Sequence, residues 1–169
     1  PIDITSPDLV PVVERLLAEY PSLHRRRTSL VIVFEEARGN IARHAKSPSP
    51  ELCFARRGTS ERPALEILFV DRGDGLCVLG IPPPYPAEMV GTVHRFRRTL
   101  DGIVLCEIAD SDRVEITFHQ EQKAQPVPRS EDLLVGGMGL SIMTKVADRV
   151  TYLTRVGPAN VLWLQFRIR

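Results

Sequence analysis

A single amphipathic helix constrains this chain more than any other feature. Apolar residues recur at spacings of three and four from Leu30 to Ile41, which predicts a helix with one buried stripe. On that helix Glu36, Asn40 and His44 follow at intervals of four, so they line a second face. A carboxylate one turn before a carboxamide can activate a hydroxyl and complete the shell of a hard cation such as Mg²⁺. The same pattern also fits a solvated face without a chemical role.

Composition excludes several classes of protein. The 169-residue length and ordinary apolar and charged fractions predict one globular domain. A net charge of +1, with acids and bases mixed, argues against nucleic acid as the main partner. The three cysteines are odd in number and widely spaced, which is typical of thiols in a reducing cytosol. No apolar stretch reaches the roughly 18 residues that a membrane span needs. We therefore expect a cytoplasmic protein without a membrane partner.

The order of the remaining patterns predicts the fold class. A first helix is expected to begin at Ser6-Pro7-Asp8 and to end before Pro21. Strand-like runs occupy 2–5, 51–57, 65–70, 92–98, 103–109, 114–119, 150–155 and 160–169. A third helix is expected over 140–148. This order predicts an α+β two-layer sandwich, with a mixed, mostly antiparallel sheet and helices on one face.

One glycine-rich stretch, Gly136-Gly137-Met138-Gly139, leads straight into the third predicted helix. Unpaired backbone N–H groups and the positive end of the helix dipole favour a phosphate at such a place. A flexible linker has the same composition, so this stretch alone decides little.

A second stretch, Asp71-x-Gly73-x-Gly75, follows an apolar strand. An aspartate held at a strand end can accept a hydrogen bond from an exocyclic amino group, and glycines leave room for a flat ring. Turns of the same composition are common, so an ordinary turn is the alternative.

Taken together, the motifs resemble the GHKL ATPase superfamily, whose Bergerat fold is shared by DNA gyrase, histidine kinases and bacterial anti-sigma-factor serine kinases. The last group is the most similar. Glu36-Ala-Arg-Gly-Asn40-Ile-Ala-Arg-His44-Ala45 is similar to its N box. Gly136-Gly-Met-Gly-Leu-Ser-Ile-Met-Thr-Lys-Val-Ala-Asp-Arg-Val-Thr-Tyr152 is similar to its second glycine box and the elements that follow.

The resemblance implies a role for each motif residue. Glu36 would activate a substrate hydroxyl, and Asn40 would ligate the Mg²⁺ that bridges the ATP phosphates. Asp71 would accept the adenine amino group, with Gly73 and Gly75 beneath the ring. The remaining predicted nucleotide-binding residues are His44, Gly136, Gly137, Met138, Gly139 and Leu140.

The chain departs from the family in the long interval between Asp71 and Gly136. An insertion is therefore expected somewhere within 47–135 of a single domain spanning 1–169. A rival register assigns adenine to Asp110, which also follows a predicted hairpin. That register loses both glycines and makes 47–90 the insertion.

By this resemblance the chain is expected to be an ATP-dependent serine/threonine protein kinase and anti-sigma factor of a partner-switching module. The implied substrate is a STAS-type anti-sigma-factor antagonist, and the implied alternative partner is a sigma factor or another regulatory protein. A homodimer is expected from the relatives. One alternative is a catalytically weak or inactive ATP-binding adaptor that sequesters a regulatory partner. A histidine-kinase catalytic domain is less favoured, because no histidine lies in a phosphoacceptor context.

Overall fold

A computed structural model of the chain describes residues 2–3, 8–42, 51–58, 63–99, 102–120, 138–156 and 159–168. The α-helices are α1 (Val10–Glu19), α2 (Arg27–Asn40) and α3 (Met138–Val146), with short 3-10 helices at Pro21–Arg26 and Ala87–Met89. The strands are β1 (Ile2–Asp3), β2 (Glu51–Gly58), β3 (Pro63–Asp71), β4 (Val93–Thr99), β5 (Gly102–Asp110), β6 (Arg113–Gln120), β7 (Arg149–Val156) and β8 (Ala159–Arg167). In this part of the chain, no helix is long and apolar enough to cross a membrane.

The strands form one eight-stranded sheet in the order β1-β2-β3-β8-β7-β6-β5-β4. Every pairing in the described sheet is antiparallel, so the predicted α+β class is confirmed and the expectation of a mixed sheet is wrong. The physical reason lies in the connections. Most neighbouring strands are joined by connections of only two to four residues, and α3 lies between β6 and β7, which are themselves antiparallel neighbours.

One face of the sheet carries the core. Residues paired across antiparallel strands point to the same face, and each strand alternates between faces. In the central strands β3 and β8, the buried residues of that face are Leu65, Ile67, Phe69, Leu162, Leu164 and Phe166. Asp71 and Asn160 are opposite each other and continue the same row at its end.

Helix α2 lies against this face. The ring of Phe34 packs edge-on against Phe69, with centroids 5.4 Å apart. At the start of α2, the Arg26 guanidinium lies 5.9 Å from the centre of the Phe166 ring. Because Phe166 pairs with the first half of β3 and Phe69 belongs to its second half, α2 runs along β3 towards Asp71. The last turn of α2 and the end of β3 therefore lie at the same end of the sandwich.

The beginning of α1 differs from the expectation. Ser6 and Pro7 lie outside the described residues, but Asp8 and Leu9 are not helical and α1 begins at Val10. The Asp8 carboxylate accepts a hydrogen bond from Val10 N at 2.9 Å, and a later proline occupies the first turn. Two prolines suit the first turn of a helix, and spacing alone does not choose between them.

The strands β4, β5 and β6 form an antiparallel meander that extends the sheet beyond β7. They belong to the interval in which an insertion was predicted. The meander leaves the pairing of β3 with β8 intact, so the end of β3 stays in the middle of the sheet.

Candidate functional site

Helix α2 presents two half-buried polar side chains, those of Glu36 and Asn40, beside its buried apolar stripe. The stripe consists of Leu30, Val33, Phe34 and Ala37. Because this stripe is anchored on the sheet, the rotation of the helix is fixed, and the face bearing Glu36 and Asn40 turns towards α3.

Gly139, in the first turn of α3, lies directly against that face. A Cβ atom at Gly139 would stand 2.8 Å from Glu36 Oε2, 3.0 Å from Glu36 Cβ and 3.3 Å from Asn40 Nδ2. A Cβ atom at Gly139 would force the Glu36 carboxylate to shift and would crowd Glu36 Cβ, so glycine is the residue that fits without displacing Glu36. The α3 backbone, Glu36 and Asn40 are thus neighbours, although nearly a hundred residues separate them in sequence.

Helices α2 and α3 run antiparallel, and this places the start of α3 at the same end as Asp71. At the opposite end, Arg26 Nη1 donates to the backbone oxygen of Val146, the last residue of α3, at 2.7 Å. The same guanidinium lies 3.7 Å from Asp148 Oδ2. With the end of α3 held near the start of α2, its beginning necessarily lies near the end of α2.

Asp71 ends β3 with its side chain 5% exposed. Three donors hold the carboxylate. Gly73 N donates to Oδ1 at 2.8 Å, Asn160 Nδ2 donates to Oδ1 at 3.0 Å, and the Tyr152 hydroxyl donates to Oδ2 at 3.2 Å. Asn160 Nδ2 also lies 2.8 Å from the backbone oxygen of Gly73, so one amide fixes both the carboxylate and the following turn. A buried carboxylate held in this way has a single orientation.

The tyrosine beside Asp71 keeps its proton. Burial raises the pKa of Tyr152, and the neighbouring Asp71 carboxylate raises it further. The hydroxyl is therefore a hydrogen-bond donor at any ordinary pH.

The glycine turn after Asp71 is covered by the chain itself. Gly75 has φ +86°, a conformation that favours glycine, and a Cβ atom there would lie 2.7 Å from the Pro83 ring and 3.3 Å from Thr154 Cγ2. Tyr85, which is buried, ties the same segment down, because its hydroxyl donates to Leu76 O. On the side of Gly75 where a Cβ atom would stand, the Pro83 ring therefore fills the space.

Asp110, the rival aspartate, is exposed at the end of β5, next to the turn that leads into β6. Its Oδ1 accepts a hydrogen bond from Ser111 N at 2.8 Å. The strands next to β5 are β4 and β6, whereas Asp71 lies beside the last strand of the chain. Of the two aspartates, Asp71 has the fixed, buried carboxylate.

The other predicted residues are distributed as follows. Met138 begins α3, and Leu140 is half-buried in its first turn. His44, Gly136 and Gly137 lie outside the described residues, so the structure does not position them.

Two residues that hold Asp71 were not among the predicted site residues, namely Tyr152 and Asn160. Asn160 carried a usable signal, because it is a polar residue directly before the apolar run Val161-Leu162-Trp163-Leu164 of the last strand. Tyr152 lies within a strand-like run and gives no such signal.

No cluster of three or more His, Cys, Asp or Glu side chains that could hold a metal occurs among the described residues. A metal at this site would therefore depend on Asn40 and on the oxygens of a bound ligand.

Comparison of the chain with protein-family models, with curated proteins and with solved structures finds no match in any of the three. The functional proposal therefore depends on the geometry of the site and on the sequence motifs.

Proposed function

We propose that this chain is an ATP-dependent serine/threonine protein kinase of the partner-switching type, built on a Bergerat fold. The observation that carries the proposal is the contact of Gly139 with both Glu36 and Asn40. It joins the carboxylate–amide pair to the beginning of a helix, where backbone N–H groups favour phosphate. Asp71 lies at the same end of the sandwich and offers a fixed acceptor for an amino group.

The residues fit a nucleotide bound with Mg²⁺. The absence of a side chain at Gly139 brings Glu36 and Asn40 next to the first turn of α3, where backbone N–H groups favour a phosphate. Asn40 supplies an amide oxygen suited to Mg²⁺, which binds few protein ligands and many phosphate and water oxygens. When bound, Mg²⁺ neutralises the charge on the transferring phosphoryl group.

In this proposal Glu36 accepts the proton of a serine or threonine hydroxyl as its oxygen bonds to the γ-phosphorus and ADP leaves. Phosphoryl transfer depends mainly on positioning and charge neutralisation, so one carboxylate and a set of backbone donors suffice for the chain's part. The substrate is proposed to be a STAS-type antagonist domain, with a sigma factor or another regulatory protein as the competing partner.

The decisive experiment uses Glu36→Gln and, as a matched control, Glu35→Gln. Glu35 is the preceding residue on α2 and forms an ion pair with Arg38 at 2.5 Å, so the control removes a charge from the same helix. Incubation with labelled ATP, Mg²⁺ and candidate STAS domains should give transfer with wild type and Glu35→Gln, and none with Glu36→Gln. Thermal melts should show stabilisation by ATP in all three proteins, about 2.7 kcal/mol at 100 times the dissociation constant. Wild type that is neither stabilised by ATP nor active would refute the kinase.

A second candidate is an adaptor that sequesters a regulatory partner without nucleotide turnover. One observation favours it: both oxygens of Asp71 already have donors from the chain, and Pro83 lies against Gly75. In the adaptor, Asp71 and the glycine turn stabilise the fold and do not bind a nucleotide. Melting curves that stay unchanged up to millimolar ATP with Mg²⁺, together with retained binding of a regulatory partner, would support the adaptor.

A further inference from the structure

The Tyr152 hydroxyl and the Asp71 carboxylate form a donor and an acceptor side by side. Tyr152 belongs to β7 and Asp71 to β3, so the tyrosine side chain reaches across the intervening strand β8 to place Oη 3.2 Å from Oδ2. Asp71 Oδ1 already receives two hydrogen bonds, from Gly73 N and Asn160 Nδ2. Each carboxylate oxygen has two lone pairs, so Oδ2 is the oxygen that retains accepting capacity.

This pair matches one edge of a 6-aminopurine. On that edge an exocyclic amino group, a donor, stands next to the ring nitrogen N1, an acceptor. An amino group that donates to Asp71 Oδ2 places N1 beside the tyrosine hydroxyl. The hydroxyl then exchanges Asp71 for N1 as its acceptor, while the carboxylate exchanges the hydroxyl for the amino group. Neither group loses a hydrogen bond, so the exchange avoids the cost of an unsatisfied buried group.

We infer that Tyr152 is a base-recognition residue, whose hydroxyl donates to N1 of a 6-aminopurine held by Asp71. The inference rests on the proposed function, since it concerns the base of the same nucleotide. Tyr152 is half-buried, and its hydroxyl is the side-chain donor that the structure places on Oδ2.

Tyr85 supplies a matched control. It is a tyrosine, buried where Tyr152 is half-buried, whose hydroxyl also makes an internal hydrogen bond, in its case to Leu76 O. Phenylalanine at either position removes one hydroxyl and one hydrogen bond and leaves the aromatic ring in place. The two variants differ in whether the lost hydroxyl faces Asp71.

The test is a double-mutant cycle that removes the Tyr152 hydroxyl from the protein, N1 from the ligand, or both. Binding of ATP and of 1-deaza-ATP, in which N1 is replaced by C–H, is measured by titration calorimetry with Mg²⁺ for wild type, Tyr152→Phe and Tyr85→Phe. We expect 1-deaza-ATP to bind wild type and Tyr85→Phe about 5- to 10-fold more weakly than ATP, the effect of one hydrogen bond. Tyr152→Phe should bind the two nucleotides equally, within about twofold.

The possible failures are distinguishable. If wild type binds ATP and 1-deaza-ATP equally, or if Tyr152→Phe retains the full loss on N1 replacement, the base-recognition role is overturned and the kinase proposal stands. If wild type does not bind ATP at all, both are overturned. The wild-type comparison needs no variant, so it can overturn the base-recognition role even where a substitution disturbs folding.

Discussion

Replacing Asn160 with aspartate is the sharpest test of the network that fixes Asp71. Both side chains are 5% exposed, and the Asn160 amide donates to Asp71 Oδ1 at 3.0 Å and to Gly73 O at 2.8 Å. Asn160→Asp keeps the shape of the side chain but turns its donor into a charged acceptor. Two carboxylates then face each other in a buried place, where water screens them poorly.

The expected loss of stability has two causes, the lost hydrogen bond to Asp71 and the added buried charge. A hydrogen bond to a charged group contributes about 1.5–3 kcal/mol, and that contribution is lost. Leaving a buried charge without its partner typically costs about 3–5 kcal/mol in total, which sets the expected scale at pH 7. Asn160→Ala loses the same hydrogen bonds without adding a charge, so its loss should be smaller.

The loss in Asn160→Asp should depend on pH with a definite sign. Repulsion raises the pKa of the introduced carboxyl above the value of about 3.9 that it has in the unfolded chain. Between these two values the native state binds more protons than the unfolded state, so the free energy of unfolding falls as pH rises. The slope reaches at most about 1.4 kcal/mol per pH unit for one proton. Stability should therefore recover as pH falls, because the introduced carboxyl, once protonated, can donate to Asp71.

Urea unfolding between pH 4.5 and 8, followed by the fluorescence of the single tryptophan, measures this directly. The quantity to compare is the difference in the free energy of unfolding between Asn160→Asp and Asn160→Ala at each pH. Effects of pH on the rest of the protein are the same in both variants and cancel in this difference. A difference that stays flat with pH, or an Asn160→Asp variant within about 1 kcal/mol of wild type at pH 7, would refute the buried network.

Three further predictions follow from single contacts. Gly139→Ala gains about 1 kcal/mol of helix propensity, but the new methyl group crowds α2, which costs about 1–3 kcal/mol. Thermal melts should therefore show no stabilisation. A variant stabilised by the full gain of about 1 kcal/mol would contradict the close approach of α2 to Gly139. Burial raises the pKa of Glu115, but hydrogen bonds from its neighbours, Arg149 first, lower it by more. The ionised Glu115 carboxylate therefore stabilises the fold above about pH 4.3, and this contribution is lost as pH falls below that value. Glu115→Gln should thus cost about 1 kcal/mol in urea unfolding at pH 7, with Arg149 half-exposed, and this cost should shrink as pH falls below about 4.3. A cost independent of pH would contradict this. Gly75→Ala should cost about 2–4 kcal/mol in the same assay, and the control Gly80→Ala, which also has positive φ but no atom within 4 Å of a new Cβ, about 1–2 kcal/mol.

The strands were predictable because their signal is local. The predicted run 65–70 lies within β3, and the predicted run 160–169 overlaps most of β8. Both runs are rich in apolar residues and are bounded by turn-forming stretches, which is a local signal of a strand. Strand order is not local. The placement of β8 beside β3 depends on pairing between distant segments, which periodicity does not report.

In the candidate site too, local placements were predictable and contacts between distant segments were not. Glu36 and Asn40 were predictable as one face because helical spacing alone places them there. Tyr152 was not, because its contact with Asp71 depends on the register of three strands and on a side chain that crosses the middle one. Pro83 beside Gly75 was also beyond prediction, because the loop that carries it has no periodicity.

The meander of β4, β5 and β6 affects the site through α3. This helix packs on β5, β6 and β7, and the Lys145 ammonium near its end lies 4.3 Å from the centre of the Phe118 ring in β6. Two of the strands beneath α3 therefore belong to the meander, while the helix's first turn holds Gly139 against Glu36. The long interval after Asp71 therefore builds part of the surface on which α3 packs. Removing the meander would expose the apolar face of α3 and release the contact on which the proposed chemistry depends.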